Sequence, residues 1–381
     1  MIRAGFLGAI GAAAAAPQLA QTPAYTPTLR FAVVCPQSGP AARVGGQLLD
    51  GVRAAVEEIN RERTSFERLL IFDAYDDHNT AADATVQASF ATGNPDTQAV
   101  IGHISSAATL VTEPAYANAQ IALIVPTVTD DRITARGYRN VFRLPTKDSD
   151  EGSLIAAYAI STGSKAPHVA VQDGDYGAAV AGGFARRAAA LHLSAEATQF
   201  SLDKPDYAKA ADAVLAKNPD CVLLAGNVAD MGPLLPALRA KGYAGRFIGT
   251  QGFFDAQTVK DYAKAAEGLV VSTSVPYYPL APTALREVRF YETRYGALTP
   301  LAAFGYAGVQ LIRLAARRTG AANRLALIRA LATGGVYDTV TGSYSFGPNG
   351  DVLDPNCYFY RVKDGKFTYE RQAHPSGFML K

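Results

Sequence analysis

The sequence is short of the residues on which metal sites and disulfide frameworks depend. Its 381 residues include only three cysteines and five histidines, and no Cys-x-x-Cys pair or Cys/His cluster occurs among them. A zinc site is therefore not expected. Cys35, Cys221 and Cys357 each stand in or beside an apolar run. We expect buried free thiols, with one disulfide as the alternative that an exported protein permits.

Charge is also scarce. Only 18% of the residues are charged and the formal net charge is +2, and no basic run exceeds two residues outside alternating clusters such as 61–63. This pattern argues against nucleic-acid binding. The mature chain lacks the G-x-S-x-G, H-E-x-x-H, phosphate-loop and dinucleotide motifs. We therefore expect neither an enzyme nor a bound cofactor.

No apolar run is long enough to cross a bilayer. The longest candidate, residues 4–16, follows Arg3 and is uncharged, but a membrane-spanning helix needs about 20 apolar residues. A basic start, an apolar stretch and a more polar segment with prolines are typical of a secretory signal peptide. We predict a cleaved signal peptide in residues 1–24 and a periplasmic location, with an uncleaved anchor as the alternative.

Apolar segments alternate with helical patterns through the first part of the mature chain. Strands are predicted at 29–35, 69–75, 100–106, 121–129 and 140–144, with helices at 45–60, 81–92 and 107–119. Such alternation is typical of a parallel, doubly wound α/β sheet.

The same alternation begins again after Leu144. Strands are predicted at 168–172, 196–200, 221–225, 246–250 and 269–273, and helices at 152–161, 176–191, 207–217 and 231–241. Asp148 is placed to cap the helix at 152–161. Three further helices precede short antiparallel strands at the end of the chain. Two similar lobes with a switch near residue 144 imply a ligand cleft between them.

Two predicted strands of the first lobe end in small hydroxyl residues, Ser106 and Thr129. Ligands of open α/β sheets bind at the carboxyl edge of the strands, where both residues would lie. Hydroxyls and free backbone N–H groups favour a small anion such as a carboxylate. The alternative is that both side chains only cap helices.

A series of short motifs follows a fixed order along the chain. They are Ser-Gly-Pro at 38–40, Glu-Ile-Asn at 58–60, Tyr-Asp-Asp at 75–77, Val-Ile-Gly-His at 100–103, the segment 126–129, Thr-Ala-Arg-Gly-Tyr at 134–138, the segment 148–152, Asp-Tyr-Gly at 175–177 and Met-Gly at 231–232. In order and spacing they resemble the type I periplasmic binding proteins, the Leu/Ile/Val-binding branch of the substrate receptors of ABC transporters. The resemblance covers residues from about 29 to about 367.

The resemblance implies an architecture and a function. The fold would be two doubly wound, Rossmann-like lobes joined by a three-strand hinge, which close like a Venus flytrap. One lobe would hold residues 27–143 plus 274–342, and the other 144–273 plus 343–381. The protein would be a monomer that performs no chemistry, traps a small solute between its lobes and docks on an ABC permease in the inner membrane.

The resemblance also implies how the first lobe would bind an amino acid. Relatives hold the α-carboxylate with side chains at positions matching Ser106 and Thr129, and with backbone groups matching Ile104 and Thr127. Ser105 adjoins this set, and it occupies one position of a disulfide that some relatives carry; the other position is Asn79, so that bridge is absent.

Further candidates are implied for the cavity wall. Tyr176 matches an aromatic residue that closes from the second lobe, and Val44 stands where relatives often place an aromatic wall. Two positions depart from the pattern: Gln251 replaces a glutamate that meets the ligand ammonium, and Asn227 replaces an aromatic residue. A neutral wall puts a zwitterion in doubt, so a carboxylate without an amine, or an amide, fits about as well as a branched-chain amino acid.

Further alternatives concern the missing charge and the class of protein. Asp230 or Asp255 could supply the negative charge, although both are placed to cap helices. A cytoplasmic ligand-sensing regulator of the same fold would need no export signal. An enzyme on two α/β lobes would need a base, nucleophile or metal triad in the cleft, and the sequence offers none.

Overall fold

Two sheets covered by helices, one parallel and one with a parallel core and an antiparallel edge, form the architecture in the computed structural model of the chain. It describes residues 27–64, 67–201, 203, 205–278, 284–320, 323–355, 357–373 and 379–380. The predicted signal peptide in residues 1–24 lies outside the described residues. Within them, no helix combines the length and the apolar character needed to cross a bilayer.

The first sheet is built from the first 143 residues of the chain. Its strands are β1 (Thr28–Val34), β2 (Leu69–Tyr75), β3 (Thr97–Gly102), β4 (Ala122–Val125) and β5 (Val141–Arg143), and its helices are α1 (Ala42–Glu62), α2 (Ala81–Gly93), α3 (Ser106–Asn118) and α4 (Arg132–Ala135). The strand order is β2-β1-β3-β4-β5 and every pair is parallel. Residues 31–34 of β1 are fully buried, as expected for a strand covered on both faces.

The second sheet repeats this plan. Its parallel strands are β6 (Pro167–Gln172), β7 (Glu196–Phe200), β8 (Cys221–Ala225), β9 (Arg246–Gly249) and β10 (Val270–Thr273), and its helices are α5 (Asp148–Ser161), α6 (Asp175–Ala190), α7 (Tyr207–Leu215), α8 (Val228–Met231), α9 (Leu234–Ala240) and α10 (Ala256–Asp261). A short 3-10 turn, Gln251–Phe253, follows β9. The parallel part runs β7-β6-β8-β9-β10. The predicted α/β class with two doubly wound sheets is confirmed.

The last part of the chain returns to the first lobe and then rejoins the second sheet. Its elements are α11 (Leu285–Tyr295), α12 (Pro300–Thr319), α13 (Arg324–Thr333), a hairpin of β11 (Tyr337–Thr339) and β12 (Gly342–Tyr344), and the antiparallel strands β13 (Cys357–Lys363), β14 (Lys366–Ala373) and β15 (Met379–Leu380). Sequence signals bound α12 sharply: Thr299 accepts a hydrogen bond from the Ala302 N–H, and Gly320 ends the helix in the left-handed conformation with φ 67°.

The residues after the predicted lobe limit at 342 pack first in one core and then in the other. Tyr344 and Phe346, beyond the predicted limit at residue 342, belong to the apolar core under the first sheet. Cys357 belongs to the core of the second sheet. We therefore propose that the third crossing lies between 352 and 357, and the other limits stay predictions.

Several local predictions are wrong. Asp148 does not cap a helix at 152–161; it is itself the first residue of α5, whose N-cap is Lys147 and has no side-chain cap. The helix predicted at 231–241 begins only at Leu234, because Gly232 and Pro233 separate it from the short helix α8. The strands predicted at 100–106 and 121–129 are also too long, because β3 and β4 end at Gly102 and Val125; the hydroxyl residues that follow lie in loops and helix starts.

The connections between the lobes contact one another. The Thr146 N–H in the first crossing donates to Ser274 Oγ in the second at 3.1 Å. Lys147 Nζ lies 3.1 Å from an Asp351 carboxylate oxygen, which joins the first crossing to the segment before the third. These contacts join the first connection to the second and to the segment before the third.

Cys35, Cys221 and Cys357 are free and buried. The expectation of free thiols therefore holds for all three. Burial raises the pKa of the Cys35 and Cys221 thiols to about 12, which makes the reactive thiolate rare at neutral pH.

Candidate functional site

A cavity of about 630 Å³ lies between the carboxyl edges of the two sheets. Its walls come from the loops and helix ends that follow β3, β4, β6, β8 and β9, together with the start of α5. The lining residues are Ser106, Thr129, Asp130, Asp131, Arg132, Asp148, Asp175, Tyr176, Ala178, Ala179, Asn227, Gln251 and Gly252. The fold thus brings together five of the predicted site residues, namely Ser106, Thr129, Tyr176, Asn227 and Gln251.

The first-lobe wall contains the start of α3. Ser105, not Ser106, is the N-cap, and its Oγ accepts a hydrogen bond from the Ala108 N–H at 3.4 Å. The hydroxyl of Ser106 is therefore not used as the cap and lines the cavity. The first N–H groups of a helix have no carbonyl partner within it, and the helix dipole favours an anion there. This end of α3 is suited to a carboxylate.

A buried network stands behind this wall. His103, three residues before Ser106, places Nδ1 2.7 Å from Asp77 Oδ2 and Nε2 3.1 Å from the Tyr116 hydroxyl. All three side chains are completely buried. Because they belong to the loops after β2 and β3 and to the last turn of α3, they hold the loop before Ser106 in place.

Both predicted carboxylate ligands already contact aspartates. Ser106 hydrogen-bonds Asp130, and Thr129 hydrogen-bonds Asp148. Burial acts to raise the pKa of Asp130, but hydrogen bonds from Arg132 and Ser106 and the Arg132 charge hold it below its usual value. A ligand carboxylate at this edge would compete with these aspartates for the two hydroxyls.

Asp148 is a lining residue that the sequence did not identify as part of the site. Its side chain is 4% exposed, and its Oδ1 has no hydrogen-bond partner among the described residues. Burial raises the pKa of Asp148 to about 8, although a hydrogen bond from Thr129 opposes part of the rise. A buried carboxyl group with a free oxygen at a cavity wall is suited to a ligand that donates a hydrogen bond or carries positive charge.

The second-lobe wall is held by hydrogen bonds beneath it. The Gln251 N–H donates to Glu151 Oε1 at 2.7 Å, and the Tyr176 hydroxyl donates to Glu151 Oε2 at 3.3 Å. The Asn227 N–H donates to the side-chain oxygen of Gln172 at 2.7 Å. The ring of Tyr176 therefore lines the cavity while its hydroxyl points into the lobe. Glu151 was also missed, because only its burial under these groups reveals it.

Four predicted residues do not line the cavity in the described part of the chain. Ile104 packs against the first core, Val44 is half-buried in α1, and Ser105 caps α3. Thr127 is half-buried, and its Oγ1 has no hydrogen-bond partner among the described residues. Their roles in binding stay predictions.

The two aspartates considered as substitutes for the missing acid lie outside the lining. Asp255 caps α10 by accepting from the Gln257 N–H at 2.7 Å. Asp230 accepts from the Gln172 side-chain amide at 2.9 Å. The acids that do line the cavity are instead Asp130, Asp131, Asp148 and Asp175.

The cavity is acidic and has one cation in its lining, Arg132. Arg132 Nη2 lies 2.6 Å from Asp130 Oδ2 and 2.9 Å from Asp175 Oδ2. Arg132 starts α4 in the first lobe and Asp175 starts α6 in the second, so this contact joins the lobes at the mouth of the cavity. Among the described residues, no group of three or more His, Cys, Asp or Glu side chains is arranged to hold a metal ion.

The chain is similar to known proteins in sequence and in fold. Residues 28–366 match the family described as periplasmic binding protein. The leucine-specific-binding protein of Salmonella typhimurium is 28% identical over 331 residues, which cover 85% of this chain and 88% of that protein.

Solved structures with the same fold include two binding proteins. A leucine-binding protein of Thermotoga maritima aligns with a TM-score of 0.78 and 22% identity, covering 92% of this chain and 100% of that one. A solute-binding protein of an ABC transporter from R. palustris, in complex with benzoate, aligns with a TM-score of 0.73 and 19% identity, covering 91% and 97%. The family and these relatives are binding proteins, which confirms the prediction that the chain is not an enzyme.

Proposed function

Because the chain belongs to the periplasmic binding protein family, we propose that it is the exported solute receptor of an ABC importer. It captures an α-amino acid between its lobes and delivers it to a permease in the inner membrane. One observation carries the proposal: Ser106 and Thr129 from the first lobe share a cavity with Tyr176, Asn227 and Gln251 from the second. A solute that contacts both walls binds the closed form more tightly than the open form. Binding therefore shifts the equilibrium between the two forms toward the closed one.

The first-lobe wall supports a carboxylate at one end of the solute. The start of α3 presents backbone N–H groups and the positive end of the helix dipole, and the hydroxyls of Ser106 and Thr129 lie beside it. A carboxylate taken from water needs several such donors, since hydrogen bonds to a charged group contribute about 1.5–3 kcal/mol each.

Asp148 supports an amine on the same solute. The neutral Gln251 can bond an ammonium group but cannot neutralise it, whereas Asp148 has a free carboxyl oxygen at the cavity wall and would neutralise the ammonium by releasing the proton that it holds in the free protein. The three other lining aspartates, Asp130, Asp131 and Asp175, outnumber the one lining arginine, which also disfavours a simple anion. These charges favour an amino acid over its amine-free analogue.

The rest of the wall is compatible with several side chains. Ala178, Ala179 and the ring of Tyr176 are the apolar surfaces of the lining. Leucine is the first solute to test because leucine-binding proteins are among the relatives. Branched-chain amino acids are therefore the first candidate solutes. Polar amino acids are the second, because polar groups line the mouth of the cavity.

A second candidate is a receptor for an aromatic or aliphatic carboxylate without an amine. The neutral Gln251 favours it, and one protein of the same fold was solved with benzoate. Titration calorimetry separates the two candidates. L-leucine, 4-methylpentanoate and benzoate would each be titrated into the mature chain, followed by the other amino acids.

We expect an amino acid to bind at least about tenfold more tightly than its amine-free analogue, because one charge-assisted bond contributes that much. Asp148→Asn serves as the control and should shrink this preference. Equal affinity for the two, or binding of benzoate alone, would favour the second candidate.

Export is proposed from the amino-terminal sequence. Residues 1–24 should be absent from the protein recovered from the periplasm, and N-terminal sequencing tests this directly. An intact amino terminus in the cytoplasm would favour a ligand-sensing regulator of the same fold.

A further inference from the structure

Glu151 is a buried carboxylate that the binding scheme has not used. It lies one turn after Asp148 on α5 and is 3% exposed. Its Oε1 accepts hydrogen bonds from the Gln251 N–H at 2.7 Å and the Ser272 hydroxyl at 2.6 Å, and its Oε2 accepts one from the Tyr176 hydroxyl at 3.3 Å. Three separate elements thus converge on one side chain.

The groups that converge on Glu151 include two parts of the cavity wall. Tyr176 and Gln251 line the cavity, whereas Glu151 does not. The third donor, Ser272, lies in β10, two residues before Ser274, which accepts a hydrogen bond from the first hinge crossing. One carboxylate therefore connects the second-lobe wall with the strand that leads to the hinge.

The charge on Glu151 is stabilised without a cation. Among the described residues, no arginine, lysine or histidine forms an ion pair with it, and its hydrogen-bond partners are neutral donors. A buried carboxylate is costly unless such donors are aimed at it. The same bonds must therefore hold the donors in one orientation.

We infer that Glu151 is the positioning residue of the second-lobe wall, and that its ionised form holds Tyr176 and Gln251 in the orientation that closes on the solute. The inference rests on the proposed function only where it concerns the solute. The fixing of the wall itself can be measured in the free protein.

The protonation of Glu151 should loosen this arrangement. Burial raises its pKa to about 7, although the three hydrogen bonds oppose part of the rise. A proton on Oε2 would turn that oxygen from a strong acceptor into a donor toward the Tyr176 hydroxyl, and a neutral carboxyl accepts more weakly from Gln251. The titratable groups around it are Tyr176 from α6, Asp148 from α5 and the Cys357 thiol from β13. Loosening is therefore expected as the pH falls through about 7.

Hydrogen exchange of the free mature chain tests the positioning without a ligand. Glu151→Ala should speed exchange in residues 249–253 about tenfold at a given pH, the effect of one lost charge-assisted bond. Asp150→Asn, which changes the neighbouring acid on α5, is the matched control and should leave this segment unchanged. If Glu151→Ala folds, as judged by circular dichroism, and exchange in the segment stays as in the wild type, the inference fails.

The isosteric variant Glu151→Gln isolates the charge and remains available if Glu151→Ala does not fold. Its amide oxygen can still accept from Gln251 and Ser272, and its NH₂ group can donate to the Tyr176 hydroxyl. Protection of residues 249–253, corrected for intrinsic exchange rates, should fall between pH 8 and pH 6 in the wild type and stay constant in Glu151→Gln. The same pH dependence in both proteins would overturn the inference.

Binding gives a second readout, with L-leucine as the probe. Tyr176→Phe and Glu151→Gln should each weaken binding of L-leucine at pH 8. The double variant should have the same affinity as the single variant that binds less tightly, because both substitutions act on one contact. Additive losses would contradict positioning through Tyr176. If L-leucine and the other amino acids fail to bind the wild type while the exchange result holds, the proposed solute class falls and the positioning role stands.

Discussion

At the scale of single residues, the site depends on side chains that the chain order separates widely. Ser106 and Thr129 could be found from the sequence because each follows an apolar strand, and strand ends gather at one edge of a parallel sheet. Asp148 and Glu151 could not, because their roles follow from burial and from a missing partner. Only the folded chain shows that Asp148 Oδ1 has no partner and that three donors surround Glu151.

Replacing either hydroxyl of the first-lobe wall should weaken solute binding. We expect Ser106→Ala and Thr129→Ala each to cost about 1–3 kcal/mol of binding free energy, since each removes a donor to a charged group. Calorimetry with the best solute from the screen measures the loss. Ser105→Ala is the control: as the N-cap of α3 it should lower the free energy of unfolding by about 0.5–2 kcal/mol. Near-native affinity in the Ser106/Thr129 double variant would refute the carboxylate assignment.

Asp148 should make the stability of the free protein depend on pH. Burial raises its pKa from 3.8 to about 8, so between these values the folded chain keeps a proton that the unfolded chain releases. Stability therefore falls as the pH rises through this range. Asp148→Asn cannot ionise, so its stability should fall less steeply, by at most about 1.4 kcal/mol per pH unit. Urea unfolding from pH 5 to pH 8 measures both slopes, and identical slopes would contradict the prediction.

At the scale of elements, α5 and α6 set the second-lobe wall through unusually close packing. A Cβ on Gly183 would lie 2.0 Å from the Ser149 carbonyl oxygen, and a Cβ on Gly152 would lie 2.0 Å from the Val180 carbonyl oxygen. Helix α5 carries Asp148 and Glu151, and α6 starts beside Tyr176. The contact of the two helices therefore fixes the positions of Asp148, Glu151 and Tyr176 relative to one another.

The two adjacent glycines of α6 should respond oppositely to alanine. Gly183→Ala must push the helices apart and should lower the free energy of unfolding by about 1–3 kcal/mol, the usual cost of overpacking. In Gly182→Ala the added Cβ meets only the flexible end of Arg186, at 3.4 Å. This control should be neutral or more stable by about 0.5–1 kcal/mol, because alanine is the better helix former. Urea unfolding of both variants checks the prediction, which fails if the two behave alike.

The sequence predicted most elements closely, because apolar runs and helical periodicity are local signals. It did not predict the break between α8 and α9, although Gly232 and Pro233 are visible in it. It also could not show that the hairpin and the residues up to 352 pack with the first core, since that contact joins segments far apart in the chain. Element type is largely local, whereas the crossing points between lobes are not.

At the scale of the whole molecule, the family match confirms the resemblance that the ordered motifs indicated. The two lobes meet at the cavity mouth through Arg132 and Asp175, whose side chains are 55% and 76% exposed. Because the pair is exposed, water and salt weaken it. It should therefore make only a small contribution to the equilibrium between the open and closed forms.

Removing this contact should slightly favour the open form. We expect Asp175→Asn to weaken solute binding by no more than about fivefold, the upper range for an exposed ion pair. High salt should weaken solute binding by the wild type almost as much as the substitution does. It should weaken solute binding by the variant only slightly further. Calorimetry at low and high salt measures both. Small-angle scattering should show compaction of both proteins at saturating solute, and unchanged dimensions in the wild type would contradict closure.

The three buried thiols have a practical consequence for studying this motion. Because their thiolates are rare and their sulfur atoms are covered, maleimide dyes should react slowly with the native chain. Cysteines introduced at exposed positions, such as Arg43 in one lobe and Lys241 in the other, could then carry a fluorophore pair without removal of any native cysteine. Energy transfer between the dyes would follow opening and closing of individual molecules in real time.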